Sequence, residues 1–519
     1  MNAGKATRRA FSQNLARTGV VLWLARGTLS RGFTAPAIIG GRRPQSSHGV
    51  ASGDVTEDSA VIWSRADSEA RMVVEWSTSQ KFTSAHRVVG PIAHANTDFT
   101  SKVNLTDLPA GQRVFYRVAY EDSQGGIGDF HPGSLVTASR QPEEVYFAWS
   151  GDTCGQGYGI DAAHGGLKTF ASIRKAQPQF FIHSGDTIYA DNPIQPSFVL
   201  PDGTLWKNIV TAEKNKAAET LAEFRGNHRY NLLDPQVVEF NSEVSVFAQW
   251  DDHEVMNNWY PGEPLNPKTY TERTTDPLAD RSKQAFFEYY PIREHPDRRI
   301  YRTIRRGPLC EIFFLDLRSY RGPNNPNRQT QRGPETDFMG ETQLQWLKGA
   351  LASSTATWKI VCSDMPLGVI VRDTATTFEN FANGDGPPLG RELEVAELLR
   401  HLKTKKVRNV VWLTADIHYA ASHYYNPEKA QFTEFDGFWE FVSGPLHAMT
   451  VSPGTLDNTF GPEVRFTGRK PGDPSTGPWT PFQFFGTVRI NPQSKAATVT
   501  HWNRDGDKLW DIELPSVQS

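Results

Sequence analysis

An α/β fold preceded by a small β-sandwich is the architecture this sequence predicts, and three observations carry the prediction. Residues 47–140 read as short alternating strands separated by Pro and Gly turns. From about residue 141, continuous apolar runs alternate with helical-looking segments, the pattern of strands buried on both faces. Length agrees, since 519 residues exceed one domain of ~100–200, and 38% hydrophobic with 11% aromatic residues can fill a packed core.

The first element is a leader, residues 1–46, basic and without periodicity. Paired Arg8 and Arg9, then Phe11, a short apolar stretch and Ala35-Pro36-Ala37 resemble a twin-arginine export signal, which implies a periplasmic or secreted protein. The alternative is a disordered basic leader on a protein that stays inside. No run of 18 or more apolar residues exists, so no transmembrane helix is expected.

Next come SAVIWSR, RMVVEWS, TSKVNLTDL and RVFYRVAYED, with turn chemistry at Leu108-Pro109-Ala110-Gly111. This segment resembles a fibronectin-III-like β-sandwich. TASRQPEE (137–144) reads as the linker. The runs that follow are VYFAWS, FFIHSGD, VSVFAQWDD, IFFLDLRS, WKIVCSDM and NVVWLTADIH, with GLKTFASIRKA and RELEVAELLRHLKT among the helical segments between them.

A net charge of −3 and the lack of a basic helix leave no footprint for nucleic acid. The three cysteines, Cys154, Cys310 and Cys362, are odd in number and widely spaced, which is no disulfide framework. Cys310 and Cys362 lie in apolar strands and read as small core residues. Cys154 lies in a loop and does not.

The strand endings carry the chemistry: SGDTC (150–154), HSGDTIY (183–189), WDDHE (250–254), VCSDMP (361–366) and TADIHY (414–419). Ligand sites of α/β sheets gather at the carboxyl ends of strands. Carboxylates converging there repel one another unless a cation sits among them. Cys154, Tyr189 and His418 offer thiolate, phenolate and imidazole, a set suited to a transition metal, with phenolate favouring a ferric ion. Asp252, Asp364 and Asp416 offer oxygen only, which suits Ca²⁺ or Mg²⁺. Asp186 lies between the two sets and could bridge both metals. Two metals in one site generate a reactive bridging hydroxide and clamp an in-line displacement, so phosphate-ester hydrolysis is the expected chemistry.

These endings resemble the five motifs of calcineurin-like metallophosphoesterases, and Gly185-Asp186-Thr187-Ile188-Tyr189 matches the GDxxY form of purple acid phosphatases. Trp250-Asp251-Asp252-His253-Glu254, FLDLRSYR (314–321) and the amino-terminal HGVASGD segment resemble the PhoD-like alkaline phosphatase D family over about residues 48–519. That resemblance implies a four-layer αββα metallophosphoesterase domain over 141–519. It also implies Fe³⁺ with Ca²⁺, other divalent metals being alternatives. By position, Asp152, Cys154, Asp186, Tyr189 and His418 would hold iron. Asp186, Asp252 and Asp416 would hold calcium, with Asp364 as a further candidate. Whether Asp152 and Cys154 both reach the iron, or only one, is open at this point.

His253 follows a candidate ligand directly and is expected to donate to a phosphate oxygen or to the leaving group. Asn257 and Asn258, read as a helix start, either reach phosphate or only cap. Arg225 and Arg318 are candidates to bind phosphate, and His447 is a candidate for the rim. The expected partner is a small phosphate ester. A phosphodiesterase or phospholipase-D-like activity is the nearest alternative, and a non-catalytic binding protein with a decayed site is the alternative of another class.

Overall fold

The structure, a computed structural model, describes residues 43–517. The export-signal reading of residues 1–42 therefore lies outside the described residues. The amino-terminal part has seven strands: β1 (Ser46–Gly53), β2 (Ala60–Ala66), β3 (Ala70–Ser77), β4 (His86–Ala93), β5 (Thr100–Leu105), β6 (Arg113–Glu121) and β7 (His131–Val136). They form two antiparallel sheets, β1-β2-β5 and β4-β3-β6-β7. Along β6 the period of two is plain: Val114, Tyr116, Val118 and Tyr120 are buried, while Arg113 is exposed and Phe115 and Arg117 are partly so. Residues 43–46, read from the sequence as part of a leader, belong to the described fold. Gln45 already donates its backbone N–H to Asp67 (3.0 Å), and β1 starts at Ser46.

After residues 137–144 the chain enters β8 (Val145–Ser150), α1 (Lys168–Ala176), β9 (Phe180–Ser184), a hairpin of β10 (Ser197–Val199) and β11 (Leu205–Lys207), α2 (Leu221–Asn231), α3 (Pro235–Glu243), β12 (Ser245–Gln249) and α4 (Asp276–Tyr289). The second half contains β13 (Arg302–Arg305), β14 (Cys310–Phe314), α5 (Gly340–Ser353), β15 (Trp358–Cys362), α6 (Glu392–Thr404) and β16 (Val410–Thr414). It ends with β17 (Ala421–Tyr425), β18 (Phe438–Val442), β19 (Pro462–Thr467), β20 (Phe484–Ile490), β21 (Ala497–Asn503) and β22 (Lys508–Leu514).

Two mixed sheets result. One has the order β12-β9-β8-β20-β21-β22, the other β13-β14-β15-β16-β18-β17-β19. In the first, β8, β9 and β12 are parallel; in the second, β14, β15, β16 and β18 are parallel. Strand parity decides the layers. Phe147, Trp149, Phe180, Ile182 and Phe247 of the first sheet meet Ile312, Phe314, Ile360, Val411 and Leu413 of the second in one core, so the sheets pack face to face. The opposite parity of the first sheet, Ala148, Phe181, Val246 and Ala248, packs on Phe170 and Ile173 of α1, Phe240 of α3 and Phe286 of α4. The outer parity of the second sheet, Phe313, Val361 and Trp412, packs on Leu344, Leu347 and Leu351 of α5 and Val395, Leu398 and Leu402 of α6. The order is thus αββα. Cys310 and Cys362 lie in the central core, as their strands require.

The sandwich shares that central core. Polar contacts fix its seat: the Trp63 indole N–H donates to the Glu288 carbonyl (2.7 Å), Arg302 pairs with Asp54 (2.9 Å), and Arg306 donates to the Val55 and Val136 carbonyls (2.9 Å each). Among the described residues no helix is long and apolar enough to cross a membrane.

Candidate metal centre

The parallel strands of both sheets end on a common edge, and the chain leaves them in tight turns. Beyond β8 stands Asp152, beyond β9 Asp186, beyond β12 Asp251 and Asp252, beyond β15 Asp364, and beyond β16 Asp416 and His418. Asp152, Asp186, Asp416 and His418 adopt left-handed backbone, with φ of 67°, 49°, 66° and 56°. This conformation costs about 1–2 kcal/mol for a residue with a Cβ, and it persists where the surroundings over-determine it. Gly444 is needed beside it, since a Cβ there would stand 2.1 Å from Asp152 Oδ2.

The turns bring the acidic side chains together. Ligand-capable atoms of Asp152, Asp186 and His418 lie within 4.8 Å of one another, as do those of Asp186, Asp252 and His253, and those of Asp251, Asp252 and Asp416. Asp186 and Asp252 each belong to two groups, so the cluster is continuous. Tyr189, fully buried, joins it: its O–H donates to His418 Nε2 (2.8 Å). The tautomer follows from the other nitrogen, because His418 Nδ1–H donates to the Met449 carbonyl. Burial holds His418 down at about 4, so the imidazole is neutral and its Nε2 lone pair faces the cluster.

The residues present fit metal ions. Both oxygens of Asp152 and Oδ1 of Asp252 are buried without a hydrogen-bond partner, a costly arrangement for a carboxylate. Burial first, with repulsion from neighbouring carboxylates, pushes Asp152, Asp186 and Asp416 well above the usual carboxylate range. Burial and the Asp186 and Asp152 charges push the Tyr189 phenol up in the same way. Positive charge among them relieves both penalties, and carboxylate, phenol and imidazole oxygens and nitrogen are metal ligands.

Several expected site residues stand elsewhere. Cys154 packs among Ile160, Ile188, Ala190 and Tyr230 in the outer core beneath the helices, and burial pushes its thiol up to about 12. It therefore belongs to none of the ligand groups, and Asp152 alone represents its loop at the cluster. Asp364 lies 3.4 Å from Arg318 Nε and falls in none of the ligand groups, although both its oxygens are buried without a hydrogen-bond partner. Arg318 is wholly buried and spent on carboxylates: it reaches Asp251 and Glu379 at 2.6 Å each and Asp252 at 3.9 Å. It compensates acidic charge rather than waiting for phosphate. Arg225 on α2 is also committed, to Glu288 (2.6 and 2.7 Å) and to the Asn96 carbonyl, facing α4 and the sandwich. His447 is buried, with Nε2 against the Gly159 carbonyl (3.1 Å). Asn257 and Asn258 follow Asp252 in turns, not at a helix start, and both border the cleft.

A cleft of about 350 Å³ opens over the cluster, with Asp186, Asp252, His253, Asp416 and His418 on its floor. His253 Nδ1–H donates to Asp191 Oδ1 (2.7 Å), and its ring stacks on Tyr189 with centroids 4.2 Å apart. Burial opposes its charge, but the Asp191 and Asp252 carboxylates raise it to about 9. Asp191 also accepts from the Asn257 backbone N–H (3.0 Å). Neither Asp191 nor the buried Glu379 was singled out from the sequence. Asp191 had a signal, standing two residues after Tyr189; Glu379, in TTFENF, had none.

The sequence model of the PhoD-like phosphatase family matches residues 147–501, more than half of the chain, and that of the family's N-terminal domain matches residues 34–132. Alkaline phosphatase D of Bacillus subtilis (strain 168) is 26% identical over 393 residues, which cover 71% of this chain and 64% of that protein, less than two thirds of its length. The solved structure of PhoD superposes with a TM-score of 0.68 at 18% identity, covering 92% of this chain and 94% of the other. The purple acid phosphatase PPD1 from yellow lupin (Lupinus luteus) seeds follows at 0.54 and 12% identity, covering 91% and 74%. At these identities the two superpositions speak for the fold. The family-model match shows that this chain belongs to the PhoD-like phosphatase family.

Proposed function

We propose that this protein hydrolyses phosphoric esters, with Asp152, Asp186, Tyr189 and His418 holding a ferric ion and Asp186, Asp252 and Asp416 holding a calcium ion. The observation that carries this reading is the buried carboxylate cluster with unpartnered oxygens on the floor of an open cleft, next to His253, which is hydrogen-bonded to Asp191. When bound, the cations offset the clustered negative charge, withdraw charge from the phosphoryl oxygens and acidify water at the site.

The chain's own residues do the rest. The Met449 carbonyl holds His418 Nδ1–H, so the ring presents Nε2 beside the Tyr189 oxygen, 2.8 Å away, before substrate arrives; the phenol proton between them would have to leave for both atoms to hold the ion. Asp191 takes Nδ1 of His253 and leaves Nε2 to donate to a phosphoryl oxygen or to the departing alcohol. Donation of this kind contributes about 10²–10⁴-fold. The Asn257 side chain, at the mouth of the cleft, is within the same reading a neutral donor to the substrate. No side-chain nucleophile is required.

The test is release of 4-nitrophenol from 4-nitrophenyl phosphate and bis(4-nitrophenyl) phosphate. Hydrolysis lost on chelation and restored by iron with calcium supports the reading. Full hydrolysis after complete metal removal, or none by the metal-replete protein, overturns it. Export through the Arg8-Arg9 signal is part of the same proposal. Unchanged export of an Arg8→Lys, Arg9→Lys variant would refute that part.

A further inference from the structure

The cleft has two kinds of lining. Its polar side chains include Gln156, Asn257 and Asn258. Its apolar ones, termed the wall, are Val369, Ile370, Val371, Ile417, Tyr419 and Val451. Ile370, Val371, Ile417 and Val451 are only half-buried, so branched aliphatic carbon faces solvent directly beside a cluster of charges. Ile417 stands between Asp416 and His418 in the chain, which keeps this wall next to the reacting position.

The wall is built in advance. Ile370 donates its N–H to the Thr455 carbonyl (2.9 Å), Val369 bridges to Leu456, and Val451 donates to the carbonyl of His418 (3.2 Å). The buried Tyr419 hydroxyl accepts from the Gly454 N–H (3.1 Å), which satisfies its polar end, and Ile417 and Val451 pack on the small core cluster to which its ring belongs. Two separate loops are thereby tied to the strand end that carries the candidate ligands. Beside the apolar residues the cationic groups are few: His253 lies on the floor and Arg372 at the rim. Arg318 is spent on carboxylates, and Arg372 at the rim donates to the Ala375 carbonyl (3.2 Å) and lies over the Phe378 ring at 4.6 Å.

We propose that the substrate is a phosphate ester of an apolar alcohol, alkyl or aryl, whose organic group lies on the Ile370–Val371–Ile417–Val451 wall while the phosphoryl group faces the cluster. This rests on the phosphoesterase reading above. A cleft of about 350 Å³ is at the small end of ligand sites, which run ~300–1,000 Å³, so it suits a compact alcohol. Hydrophobic transfer supplies the selectivity, and each methylene that leaves water on the wall adds about 2- to 4-fold to kcat/KM.

The experiment uses the metal-loaded full chain and alkyl monophosphates from methyl to hexyl, whose leaving groups differ little in acidity, with phosphate release as the readout. The expected result is kcat/KM rising about 2- to 4-fold per methylene until the wall is covered. Ile370→Ser should lower the hexyl-to-methyl ratio about 3- to 10-fold, while Ile370→Leu keeps it. Val371→Ser is the second variant should the first fold poorly. Hydrolysis of every ester with a flat or falling series overturns this inference and leaves the phosphoesterase reading standing. Hydrolysis of 4-nitrophenyl phosphate but of none of the alkyl esters overturns this inference alone, and hydrolysis of neither overturns both.

Discussion

Thr153 separates Asp152 from Cys154, and across that single residue the two side chains enter different layers. On an extended strand, residues two apart share a face, and the family resemblance implied both as iron candidates while leaving open whether one or both reach the metal. Both instead adopt left-handed backbone, φ 67° and 64°, so strand parity stops at Ser150. Asp152 faces the cluster and Cys154 the outer core. Cys154→Ala should therefore keep the metal content and cost about 1 kcal/mol of stability in denaturant unfolding, whereas Asp152→Asn should lose metal. The reverse pattern would contradict the assignment. His253 supplies a pH prediction. Its pKa of about 9 lies above the ordinary value, so the ring keeps its proton below that pH and loses it as pH rises through it. A reaction that needs the proton has an alkaline limb there. Asp191→Asn removes the leading attraction, so the limb should move to lower pH and kcat should fall about 10-fold or more. An unmoved limb in the pH–rate profile would show that Asp191 does not govern His253.

At the level of elements, strand endings were legible because a fully buried parallel strand is a continuous apolar run, and the first polar residues after it must lie at the sheet edge. Asp186, Asp252, Asp416 and His418 were found in this way. What lies under that edge was not legible. Arg318 follows β14 and resembled a phosphate ligand. Its partners Asp251, Asp364 and Glu379 come from the ends of β12 and β15 and from a distant loop, and no spacing relates them. The physical consequence is strong, because removal of Arg318 leaves buried carboxylates uncompensated. Arg318→Ala should destabilise the fold by about 3–5 kcal/mol. A loss under about 1 kcal/mol in denaturant unfolding would mean that the acidic cluster needs no internal cation.

At the scale of the whole molecule, the alternation of apolar runs and helices announced α/β layers, but periodicity alone did not say that two sheets face each other. The parity of Phe147 and Trp149 against Ala148 decides it: large inward residues meet the second sheet, and the small outward one meets helices. This arrangement brings the carboxyl ends of two parallel-strand sets to one edge, so candidate ligands from both sheets build one centre. Membership of the PhoD-like phosphatase family agrees with that geometry. The central claim is that the edge cluster holds iron and calcium together, with Asp186 common to both. Elemental analysis of the purified protein, taken with its visible absorption spectrum, tests this most directly. The account predicts about one iron and one calcium per chain, a visible ferric–phenolate band that Tyr189→Phe abolishes, and loss of both metals in Asp186→Asn. A folded, colourless protein free of iron would contradict it.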